Sequence, residues 1–71
     1  MDPVKVPRNV HAGILAIRDS GLTNMLNRPE VARLAHCIGF KDAAHWLDDP
    51  ANRKAYAEGI FRGFAPDDGE G

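Results

Sequence analysis

The sequence predicts an all-α fold: a compact bundle of three to four short helices carrying a disordered acidic C-terminal tail. Three observations predict it. Apolar residues recur at helical spacing in separate stretches, prolines open and glycines close those stretches, and nothing alternates at period two for more than a few residues. With 71 residues and a single cysteine, Cys37, the chain is one domain without an internal disulfide. Packing and helix caps must hold it, and at this size a homodimer is a further route to stability.

Residues 1–6 read as an extended lead, with Pro3 followed by Val4 and Val6. The helical domain is expected over 7–64. Pro7 suits a first helical turn, where its missing N–H is no loss. Val10, Ile14 and Ile17 then give a helix over about 7–19, stopped by Gly21. The connector Leu22-Thr23-Asn24-Met25-Leu26-Asn27 mixes polar groups with three large apolar ones, which are expected to cover the core. Pro29 and Glu30 start a second helix whose stripe is Val31, Leu34, Ala35 and Ile38. Gly39 ends it, and Phe40 is placed to fold back on its last turn.

A third helix is expected over about 42–48, capped by Asp42, with Ala43, Trp46 and Leu47 turned inward. Asp49-Pro50 opens a fourth over about 50–62, striped by Ala57, Ile60, Phe61 and Phe64 and stopped by Gly63. Residues 65–71 read as the disordered tail. The expected core is Ile14, Ile17, Leu34, Ile38, Phe40, Trp46, Leu47, Ile60 and Phe61. Gly59 and Gly63 lie four apart, and a mid-helix glycine costs about 1 kcal/mol against alanine. Close approach of another helix, within the domain or from a second subunit, would explain it.

Charge narrows the function. The net charge is −1, but Asp2, Asp67, Asp68 and Glu70 lie outside the body; residues 3–66 hold nine Lys and Arg against six acids. That mildly basic body is too diluted by Asp42, Asp48, Asp49 and Glu58 to form a phosphate track. No apolar run approaches the ~18 residues that cross a bilayer, and the N-terminus has no apolar signal core. A cytoplasmic protein, with no membrane partner, is the expectation.

The candidate reactive residues do not assemble in the sequence. His11, His36, Cys37 and His45 miss the ligand spacings of structural zinc, so no metal and no cofactor are expected. Cys37 near a helix C-terminus faces the negative end of the dipole, which raises a thiol's pKa where nucleophilic chemistry needs it lowered; it reads as a small packed hydrophobe. His45 with Asp48 or Asp49 is an ordinary surface pairing at i+3 or i+4. No glycine-rich phosphate loop is present. The chain is therefore expected to bind rather than catalyse.

Leu34-Ala35 followed by Gly39-Phe40 has the spacing of a helix-turn-helix corner. The helix after it carries aspartates, which oppose phosphate, and spends Trp46 and Leu47 on packing. A DNA-associated regulator is thus the alternative reading, resting on Arg53, Lys54 and Arg62. The same corner resembles that of ubiquitin-associated three-helix domains, a generic way to join two helices.

Longer blocks carry a wider likeness. Val6-Pro7-Arg8, Ser20-Gly21-Leu22-Thr23-Asn24-Met25, Ile38-Gly39-Phe40, Trp46-Leu47 and Gly59-Ile60-Phe61-Arg62-Gly63-Phe64 occur in that order. Over residues 4–64 the chain resembles a family of small uncharacterised proteins encoded by bacteriophages and prophages. The resemblance implies a bacterial host's cytoplasm and a non-catalytic protein that binds a host (defence) or phage enzyme as an inhibitor or modulator. The connector is where such binding residues are expected, with Arg18, Thr23, Asn24, Met25 and Arg28 as the candidate contact surface.

Overall fold

The computed structural model describes residues 2–67. Its order is β1 (Val4–Pro7), α1 (Arg8–Ser20), α2 (Arg28–Ile38), α3 (Lys41–Asp48), a 3-10 turn (Pro50–Asn52), α4 (Arg53–Arg62) and β2 (Phe64–Asp67). The chain is mostly helical, and the helices fall where periodicity and punctuation place them. It is not purely all-α: β1 and β2 form a two-stranded parallel sheet, pairing Val4 with Phe64 through Pro7 with Asp67.

That sheet corrects both ends of the sequence reading. The lead is a strand from Val4, and the expected tail is ordered through Asp67; the remaining tail positions lie outside the described residues. Parallel strands need a long connection, and here the four helices supply it. Val6 turns inward and is buried while Lys5 and Pro7 face out, which fixes the register. Gly63 makes the junction: at φ 87° and ψ 165° it holds a conformation open only to glycine, and its N–H closes α4 on the Gly59 carbonyl at 2.7 Å. The Val4 N–H then donates to the Gly63 carbonyl at 2.9 Å.

The core is built from small and medium side chains. Val6, Val10, Ile14, Ile17, Val31, Ala32, Ala35, Ala43, Ala44, Leu47 and Tyr56 are buried, with Leu34, Phe40, Trp46, Ile60 and Phe64 half-buried against them. Ile38, at 48% exposure, and Phe61, at 84%, are not core, contrary to expectation. The reason is space. Alanines bring α2 and α3 close together, and α1 meets α3 so tightly that a methyl added at Gly13 would lie 2.5 Å from the Ala43 Cβ. Elements that approach this closely leave no room for further large residues.

Local chemistry sets the helix ends. The Asn27 side chain accepts from the Glu30 N–H, and the Asp49 side chain accepts from the Ala51 N–H at 3.0 Å. Gly39 is left-handed at φ 92°, and the Phe40 N–H turns back to the Ala35 carbonyl at 2.8 Å. Asp42 does not cap α3, because the helix begins one residue earlier at Lys41. Its carboxylate instead accepts from the Asn9 side chain at 2.9 Å, tying α3 to α1. Gly59 answers to a ring and not to a helix: an added Cβ there would fall 2.1 Å from Phe64, whose ring also lies 5.6 Å from that of Tyr56.

Candidate functional site

A domain with a small-residue core has large apolar side chains left over, and their positions define the candidate site. Leu22, Leu26, Ile38 and Phe61 are all exposed. On α4 the repeat of about 100° per residue turns Ala57 and Phe61 away from Tyr56 and Gly59, the two residues that α4 buries, and leaves Arg53 and half-buried Ile60 at the border between the two sides. Ile60 is the ridge of this face. On one side of it a cleft of about 190 Å³ is lined by Leu15 and Arg18 of α1, Met25 of the connector, and Gly59. On the other, a cleft of about 200 Å³ is lined by Leu26, Arg28, Arg53, Ala57 and Phe61.

The connector joins the two clefts because its residues point opposite ways. Met25 packs half-buried against the core, and its carbonyl accepts the Tyr56 hydroxyl at 2.6 Å. Leu26, next in the chain, is 68% exposed. The turn is stiffened by Asn24, whose side chain accepts the Leu26 N–H and whose carbonyl accepts the Asn27 N–H, both at 2.9 Å. Only Met25 of the three connector hydrophobics covers the core; Leu22 and Leu26 do not. Burial pushes the Tyr56 phenol up to about 12, opposed in part by the nearby Arg28 charge.

Of the residues singled out in the sequence, Arg18 and Met25 meet in the first cleft, and Arg28 lies in the second. Asn24 is exposed but shapes the turn, and Thr23 is half-buried. The basic set divides. Arg53 joins Arg28 at the second cleft, whereas Arg62 stands on the opposite side of α4, nine positions on. It donates to the Asp2 carbonyl at 2.8 Å and to Glu58 at 3.2 Å, holding the N-terminus. Lys54 is exposed, one residue round from Arg53. Sequence reasoning missed Leu15, Leu26, Ala57 and the exposure of Phe61; Ile60 does pack against the core, as expected, while also lining both clefts. The signal available was that Phe61 and Ile60, a hundred degrees apart, cannot both face one small core.

The rim of this face is basic. Neither cleft is lined by a carboxylate. Among the described residues the ion pairs include Arg33–Glu30, His36–Asp48 and Arg62–Glu58, Arg8 and Asp67 have interactions of their own, and Arg18, Arg28 and Arg53 have no carboxylate partner. The Arg28 Nη1 donates to the Leu47 carbonyl at 2.6 Å, which fixes the side chain without cancelling its charge.

The opposite side of the molecule differs. A shallow cleft beside half-buried Trp46 is lined by Pro7, Val10, Asp42, His45 and Asp49. Asp48 pairs there with His36 at 3.2 Å, across to α2, and not with His45 of its own helix. The His36 and His45 rings lie 6.1 Å apart. Among the described residues no three His, Cys, Asp or Glu side chains gather as a metal site would require. Cys37 is exposed, with the Arg33 guanidinium 3.8 Å from its sulfur, and is not packed as expected. The same arginine, bonded to Glu30, holds that carboxyl below its usual range.

The chain matches a family described as a domain of unknown function, DUF5049, over residues 7–63. It belongs to DUF5049. The matched span starts at the last residue of β1 and stops just before β2, so it takes in all four helices and, apart from Phe64, the lining of both clefts beside Ile60, but little of the sheet. No curated protein and no solved structure matches the chain. Among the described residues no helix is long and apolar enough to cross a membrane.

Proposed function

We propose that this DUF5049 chain is a non-catalytic binding module that engages a protein partner through the face centred on Ile60 and Phe61. The observation that carries the reading is the 84% exposure of Phe61 beside Leu26, in a domain that buries alanines instead. Aromatic residues dominate protein interfaces, and contiguous exposed apolar surface marks interaction sites. Each cleft falls below the roughly 300–1,000 Å³ of small-molecule pockets, which favours side chains of a partner as occupants.

The likeness to phage and prophage proteins supplies the biological class: a modulator or inhibitor of a host defence enzyme or of a phage enzyme, acting in the bacterial cytoplasm. The test is affinity capture from a bacterial host with the whole chain and with Phe61→Asp, followed by binding of the purified partner. The reading expects the partner to be lost with Phe61→Asp while the variant melts as the parent does. Retention of the partner by a folded Phe61→Asp chain contradicts it. The DNA-regulator alternative expects duplex binding that weakens steeply with salt and vanishes without Arg53 and Lys54.

A further inference from the structure

We infer that the occupant of this face is an acidic amphipathic helix of the partner, its apolar side chains seated in the two clefts beside Ile60 and its carboxylates set against Arg18, Arg28 and Arg53. The inference rests on the protein-binding reading above and adds the partner's chemistry.

Three observations carry it. The first is charge: three guanidiniums rim the clefts, none has a carboxylate partner among the described residues, and no acid lines either cleft. Asp19 is the nearest acid in sequence to this rim, and it lies a hundred degrees round α1 from Arg18. An occupant bearing Asp or Glu on its flanks gains what a neutral or basic one does not.

The second is the backbone. Most of the walls are helices whose main-chain groups bond internally, with Gly63 and Phe64, where β2 starts, closing the first cleft, and several of the connector's groups are spent as well. The Leu22 N–H goes to the Ser20 hydroxyl, the Leu26 and Asn27 N–H groups go to Asn24, and the Met25 carbonyl takes the Tyr56 hydroxyl. A surface built mainly of helix offers little main-chain edge to an extended peptide. That favours an occupant that satisfies its own backbone, as a helix does.

The third is the division of the apolar surface into two small clefts on either side of one ridge. That suits anchors at helical spacing from one stretch of chain. Duplex DNA gains nothing from Leu26, Ile60 and Phe61, which occupy the centre of the face while the arginines stand at its rim.

A displayed library of random 16-residue peptides, selected against the whole chain, tests this. The expected winners carry apolar residues at i, i+3 or i+4, and i+7 with Asp or Glu beside them, and become helical on binding. Phe61→Ala should weaken them by about thirtyfold, the effect of losing an interface anchor. The pair Arg18→Glu with Arg53→Glu should weaken them roughly tenfold and leave the melting temperature in place.

Winners that are basic, extended or absent overturn the helix assignment. If they still depend on Phe61, the protein-binding reading survives alone. If they ignore both Ile60→Asp and Phe61→Asp, that reading falls too. A dimer in solution that Phe61→Asp dissolves would make a second copy the occupant, and salt-sensitive duplex binding lost in the double arginine variant would make it DNA. Either result overturns the proposal.

Discussion

The α2–α3 corner and the outer face of α4 solve opposite problems with the same amino-acid alphabet. The corner buries Ala32, Ala35, Ala43 and Ala44 around the larger side chains of Val31 and Leu47. The α4 face turns Phe61 outward, with half-buried Ile60 between the two clefts, beside Leu26 and three arginines. A domain this small has little interior, so close backbone approach by small residues gives more contact per residue than bulky side chains would. Hydrophobic mass excluded from the interior becomes surface, and in this molecule Leu26 and Phe61 share one cleft. Composition alone cannot distinguish a large residue that stabilises from one that binds; position on the helix does.

That comparison can be broken by substitution. Leu47→Ala, removing a side chain only 1% exposed at the corner, is expected to cost about 2–5 kcal/mol by denaturant unfolding. Gly59→Ala tests the junction with the sheet. The helix-propensity gain of about 1 kcal/mol should be outweighed by displacement of the Phe64 ring, giving a net loss of about 1–2 kcal/mol. Hydrogen exchange at the Val4 amide should then speed up with it.

The Tyr56 phenol gives a pH signature of the seam between the two regions. Its folded-state pKa of about 12 lies above the ordinary 10.0. The stability it contributes is whole below pH 10 and is lost as pH rises from there through about 12, since the unfolded chain gives up the proton first. The loss is on the order of 2 kcal/mol. Tyr56→Phe, lacking the bond to the Met25 carbonyl, should cost about 1 kcal/mol at pH 7 and abolish that Tyr56 contribution to the alkaline decline. At the far end of the scale, Phe61→Ala should move stability by no more than about 0.5 kcal/mol, because its ring is already in water.

The helices were legible because local signals agreed with one another. Pro29 and Gly39 bracket α2, Asp49-Pro50 opens the turn into α4, and the stripes through Val10, Ile14 and Ile17 and through Val31 and Ala35 are buried. The sheet was not legible. Its strands lie about sixty positions apart in the chain, each is four residues long, and Pro66 ordinarily argues against a strand. A two-stranded sheet has only edges, where proline is tolerated.

The candidate face was half legible. Arg18, Met25 and Arg28 lie in its clefts, but Phe61 read as core because a stripe of apolar residues looks the same whether it turns inward or out. Likewise Arg62 read as part of a basic surface, although its partners are the Asp2 carbonyl and Glu58.

The account turns on which side of the molecule receives a partner. Amide chemical-shift mapping of the isotopically labelled chain, titrated with its captured partner, measures that side directly. Shifts concentrated at Leu15–Arg18, Met25–Arg28 and Arg53–Phe61, with the segment from Asp42 to Asp49 unmoved, are the predicted result. Shifts centred on Trp46 and its neighbouring aspartates would contradict it.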